Sequence, residues 1–128
     1  MSQVTLPELG YFTGSLNKYQ HNGIHYTDGV HYVMEKDAMW LVTDIMARLK
    51  CDRALNGYDF LVINFVPSTT ITDRYNVKRS VNAYVEYKND NGNVLIKQEY
   101  NFTYLVVPVN FFFFDEEGHK LLILRSEY

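Results

Sequence analysis

The densest set of chemically able side chains lies near the start of the chain: His21, His25, Asp28, His31 and Glu35. Imidazoles and carboxylates are zinc ligands, so His21, His25, Asp28 and His31 form one candidate metal set. His31 and Glu35 are four residues apart, which puts them on one face of a helix. The spacing follows no zinc pattern, however, and His21 and His25 flank a turn signal at Gly23. The set therefore reads first as capping and surface residues, with a small metal-dependent enzyme or ligand-binding protein as the alternative. Cys51 falls at the C-terminal, negative end of an expected helix, which disfavours a thiolate nucleophile. Asp115, Glu116 and Glu117 sit together where a hairpin turn is expected, and turn preference accounts for them better than acid–base catalysis. Arg74, Lys78 and Arg79, with Tyr75 among them, make the one positive clump. Single-stranded nucleic acid could use such a group, but a solvated loop explains it better. There is no P-loop, no dinucleotide glycine fingerprint and no H-E-x-x-H. No catalytic residue and no cofactor is assigned.

The elements that must position these groups are bounded by composition. The chain has 128 residues, the length of one domain. It is 47% hydrophobic and 16% aromatic, with 11 Tyr and 8 Phe, a balance that suits a folded globule rich in strands. The formal net charge of −3 carries no basic nucleic-acid footprint, so direct nucleic-acid binding is not expected. A single cysteine excludes an internal disulfide and fits a reducing cytoplasm. No secretion signal is visible at the N-terminus, and no apolar run approaches the roughly 20 residues that span a bilayer, so no membrane partner is expected.

Residues 1–23 read as a mostly irregular arm, punctuated by Pro7, Gly10, Gly14 and Gly23, with Tyr11 and Phe12 as an aromatic plug and Leu16 and Tyr19 on a short helix. Residues 24–49 read as two short helices in series. Thr27 and Asp28 are cap residues for the first, and Asp37 for the second. The stripe Leu41, Val42, Ile45 and Leu49 then follows the helical period, with Trp40 on its flank and Arg48 and Lys50 near the C-terminal end. From residue 60 the period changes. Residues 60–66 read as a central strand ended by Pro67. The polar stretch 68–79 reads as a loop or weak edge. Residues 81–87 and 94–102 alternate about a turn at 88–93, and 106–114 and 119–124 flank the turn at 115–118. The expected fold is a single α+β domain: two N-terminal helices on one face of an antiparallel sheet of about five strands in hairpin order. Phe111, Phe112, Phe113 and Phe114 make both faces of one strand apolar. One face must be core; the other is covered by helix or arm, or is a partner's patch.

Several blocks carry a resemblance: Phe12-Thr13-Gly14, Tyr26-Thr27-Asp28-Gly29-Val30 with Tyr32 and Glu35, Ala38 with Trp40-Leu41 and Ile45, and the terminal Ser126-Glu127-Tyr128. In order and spacing they resemble a family of small bacterial, plasmid and phage proteins, a domain of unknown function. The chain departs from the family pattern at Thr43, where an aspartate follows W-L-x; here Asp44 is displaced by one. The resemblance implies a mobile-element context, in which small domains act by blocking a larger protein. Size, aromatic content and the lack of a catalytic constellation lead to the same class: a non-enzymatic protein-binding module. With the resemblance, it reads as an inhibitor of a host defence protein such as a CRISPR effector. The residues expected to make contact are Phe111, Phe112, Phe113 and Phe114, and Arg74, Tyr75, Lys78 and Arg79. A self-associating module, such as a homodimer through an edge strand or the aromatic strand, is the other alternative.

Overall fold

The computed structural model describes residues 18–21 and 23–127. The expectations for Tyr11, Phe12, Leu16 and the Phe12-Thr13-Gly14 block, and for Tyr128, lie outside these residues.

Strand β1 (Lys18–His21) turns at Gly23, φ +81°, into β2 (Ile24–Thr27). Helix α1 (Asp28–Val33) follows directly, runs through a wider π segment (Met34–Ala38) and continues as α2 (Met39–Cys51). A 3-10 turn (Arg53–Leu55) leads to β3 (Phe60–Val66), β4 (Thr69–Thr72), β5 (Lys78–Lys88), β6 (Val94–Thr103), β7 (Val109–Glu116) and β8 (His119–Leu124), and a last 3-10 turn spans Arg125–Glu127.

The five-strand antiparallel sheet in hairpin order is overturned. The strands form one eight-stranded mixed sheet in the order β1-β2-β8-β7-β3-β5-β4, with β6 on the other side of β5. The helices are not N-terminal; they lie between β2 and β3. Residues 24–27 are a strand because β2 pairs in parallel with β8, Tyr26 opposite Leu122. That pairing joins residues nearly a hundred positions apart, and a four-residue strand is too short to show its own period.

The polar stretch 68–79, read as a loop or weak edge, holds both: β4 is a short edge strand with all four residues exposed, and residues 73–77 turn into the start of β5. β3 and β4 pair with the same strand in one register: Val66 lies opposite Tyr84, and pairing resumes with Thr69 opposite Val81. They are one long strand interrupted at Pro67-Ser68, where the proline has no N–H to give the ladder. Across the interruption, β5 carries Asn82 at φ 60°, a left-handed conformation that asparagine tolerates.

The helices and one sheet face share the core. Leu61, Ile63 and Phe65, Val85 and Tyr87, Val109, Phe111 and Phe113, and Leu122 and Leu124 alternate along their strands into it. Val30, Val33, Leu41, Val42, Ile45, Met46 and Leu49 meet them from the helices. Each such side chain contributes about 1.5–3 kcal/mol on full burial. Trp40 packs edge-on against Phe65 and Tyr100, at 6.3 and 5.1 Å between ring centres, on the flank of this core.

Candidate interaction surface

Beyond the last pairing with β6, Ser80 opposite Thr103, the end of β4 and the start of β5 run on as a two-stranded ribbon. Among the described residues β4 pairs only with β5, and all four of its residues are exposed. The tip is built by Asp73. Its Oδ1 accepts the backbone N–H groups of Tyr75 at 2.8 Å and Val77 at 3.0 Å, and Asn76 completes the turn at φ 61°. These local bonds replace the ladder at the tip, as Asx turns do. Asp73 is therefore committed to the turn. Arg74, Tyr75 and Lys78 are exposed and Arg79 is half-buried. Tyr75 is 71% exposed, and the Arg74 guanidinium lies 4.9 Å from the centre of its ring. Ile71 adds an exposed apolar side chain on β4. Sequence pattern placed Arg74, Tyr75, Lys78 and Arg79 together; the structure keeps them on one element and gives that element a strand framework.

The four phenylalanines divide between the two sheet faces. Phe111 and Phe113 are core residues. Phe112 and Phe114 lie on the opposite face, half-buried, where Phe60 joins them at 5.4 and 5.2 Å between ring centres. The same face continues across β8 into a cleft of about 540 Å³, where Phe114, Leu121 and Ile123 meet His25, Glu116 and His119. The His25 and His119 rings are 6.3 Å apart.

The histidine–aspartate set is not gathered. His21 is exposed on β1, and His25 points to the second sheet face beside Leu121. Asp28 starts α1, and His31 lies on that helix, stacked 4.1 Å from Tyr19 with its Nε2 2.9 Å from Glu35. Among the described residues no group of three or more His, Cys, Asp or Glu could hold a metal ion. Cys51 is exposed at the end of α2.

Two polar constellations escaped the sequence reading. The first is a carboxylate clasp. Glu127, 9% exposed, accepts from the Thr27 hydroxyl at 2.5 Å, from the Gly29 N–H at 3.1 Å and from the Leu124 N–H at 2.9 Å. Thr27 thus does not cap α1 with its own oxygen; the last 3-10 turn supplies a carboxylate to the Gly29 N–H in the first turn of the helix instead. The second joins α2 to β6. Arg48 lies 3.9 Å from Asp44 and 3.4 Å from Asp52, and donates to Gln98, while the Tyr100 hydroxyl donates to Asp44. Burial first, and the Asp44 carboxylate second, push the Tyr100 hydroxyl well above its ordinary pKa; burial does the same to Tyr87. The four-residue spacing of Asp44, Arg48 and Asp52 was the legible signal for this network. Asp44 has a structural role, displaced position or not.

No helix among the described residues is long and apolar enough to cross a membrane. Comparison with curated proteins returned no match, and comparison with solved structures returned none. A family model matches residues 3–128, and the chain belongs to that family, a family of unknown function (DUF6876).

Proposed function

We propose that this protein is a non-enzymatic binding module that engages a protein partner through the β4–β5 ribbon. The observation that carries this reading is the ribbon tip, which holds a 71% exposed tyrosine with an arginine stacked on it. Tyr and Arg are, with Trp, enriched among the residues that dominate binding energy at protein interfaces: the tyrosine ring buries much area with few torsions to freeze, and the guanidinium adds a planar fork of donors. The tip, residues 73–79, carries three bases, Arg74, Lys78 and Arg79, and one acid, Asp73, in a chain of net charge −3. A partner with an acidic, concave surface suits this tip. The mobile-element resemblance supports a finer form, an inhibitor of a host defence protein such as a CRISPR effector. Affinity purification from host lysate with the wild-type chain and with an Arg74→Ala, Tyr75→Ala variant tests the proposal. A specific protein recovered by the first and lost by the second is expected; recovery by neither overturns it.

A further inference from the structure

Strand β6 is ten residues long, and its one strand partner among the described residues is β5. An edge of this length offers a row of backbone donors and acceptors to another chain. Proteins blunt such edges with proline, bulges, charges or very short strands; β6 has no proline between Val94 and Thr103, and its one register irregularity, at Leu95, lies outside the stretch from Ile96 to Tyr100. Its side chains, instead of discouraging a partner strand, specify one.

On β6, Gln98 lies opposite Val85 and Ile96 opposite Tyr87, so Ile96, Gln98 and Tyr100 are on the helix-covered face. Lys97 and Glu99 lie on the other face, opposite Glu86 and Tyr84. Two copies joined edge to edge by a two-fold axis must pair antiparallel, with directly opposite residues on the same face, so the axis passes through one residue. An axis through Lys97 sets lysine against lysine, and one through Glu99 sets glutamate against glutamate. An axis through Gln98 sets Lys97 against the partner's Glu99 and Glu99 against the partner's Lys97. It also sets Ile96 against the partner's Tyr100, an apolar pair, in both directions. Opposite charges directly across a ladder stabilise it and like charges oppose it, so the charges select this register. They also extend an existing row: Glu86, Lys97 and the partner's Glu99 alternate in sign across the sheet, with the Lys97 ammonium already 4.3 Å from the centre of the Tyr84 ring.

We infer that two copies of this chain pair antiparallel through β6, centred on Gln98, and join their eight-stranded sheets into one. The surface is separate from the ribbon tip at Arg74 and Tyr75, so this inference and the proposed function fail independently.

Analytical ultracentrifugation across a concentration series, with circular dichroism to confirm folding, tests the inference. The wild-type chain is expected to sediment as a dimer. Lys97→Glu alone and Glu99→Lys alone each replace two attractive pairs with two repulsive ones and weaken the dimer by roughly tenfold or more. The Lys97→Glu, Glu99→Lys double variant restores the pairs with their signs exchanged and recovers the dimer. On a Cys51→Ser chain, Gln98→Cys is expected to form a disulfide-linked dimer across the axis. A wild-type monomer at the highest concentration overturns the inference. So does a dimer indifferent to both single reversals.

Discussion

Gly29 and Glu127 touch so closely that no side chain fits between them. A β-carbon at position 29 would lie 2.5 Å from the Glu127 Oε1 and 2.7 Å from the Leu124 Cδ1. Two of the sequence blocks behind the family resemblance, Tyr26-Thr27-Asp28-Gly29-Val30 and Ser126-Glu127-Tyr128, therefore meet through these two residues. Their first role is to close the fold: the end of the chain holds the start of α1 and the end of β8. Gly29→Ala is expected to destabilise the protein by about 1–3 kcal/mol, because the buried carboxylate must shift off its donors. Glu127→Gln, which keeps the size and loses the charge, is expected to cost less than Glu127→Ala. Thermal unfolding of the three variants checks the order.

The tyrosines beneath α2 give an alkaline signature. Both hydroxyls ionise near pH 10 when exposed, and burial holds the folded-state values higher. Below that pH both states keep their protons and these groups contribute no slope. Above it the unfolded chain releases protons that the folded chain retains, so stability falls as pH rises toward the folded-state values. Tyr87→Phe with Tyr100→Phe is expected to flatten this alkaline limb in denaturant titrations. At neutral pH the two part company. The buried Tyr87 hydroxyl has no hydrogen-bond partner among the described residues, so Tyr87→Phe is expected to be neutral or stabilising by up to about 1 kcal/mol. Tyr100→Phe removes a donor from Asp44 and is expected to cost about 1 kcal/mol.

Alternation along β7 gives its four phenylalanines unequal weight. Phe111→Ala opens a cavity in the core and is expected to cost about 3–5 kcal/mol. Phe112→Ala, on the half-buried face, is expected to cost roughly half of that. Equal costs in urea unfolding would contradict the assignment of the two faces.

Metal chemistry has a direct check. With His25 on the second sheet face and His31 in the Tyr19 stack, elemental analysis of the purified protein is expected to return no stoichiometric zinc, and chelation is expected to leave the unfolding midpoint unchanged.

The legible and illegible parts of this fold divide by sequence distance. Residues 60–66 read as a strand and are one, and the hairpin between β5 and β6 was marked by its run of Asn, Asp and Gly residues. The stripe Leu41, Val42, Ile45 and Leu49 is buried as its period demanded. Each of those signals is local. What was missed is long-range or too short to repeat: β1 and β2 have four residues each, and β2 gains its identity from β8. The polar ribbon lacks an apolar face, so alternation could show no more than a loop or weak edge there, and β4 is such an edge. Sequence clustering put Arg74, Tyr75, Lys78 and Arg79 on one stretch, and the structure keeps them on one ribbon; His21, His25, Asp28 and His31, read first as capping and surface residues, sit on adjacent elements that send them to different faces. The clasp left one trace. Glycine is a poor helix former, and Gly29 sits in the first turn of α1. That mismatch marks a place where something must approach closely.

The ribbon tip decides the central claim. Quantitative mass spectrometry of proteins captured from host lysate, comparing the wild-type chain with Arg74→Ala, Tyr75→Ala and the pair, measures it directly. Each truncation removes an exposed side chain, so the variants are expected to unfold within about 0.5 kcal/mol of the wild type. The account predicts one specific partner, depleted at least about tenfold by the double variant, as loss of an aromatic and arginine anchor implies. A partner captured equally by the wild-type and double-variant chains would contradict it.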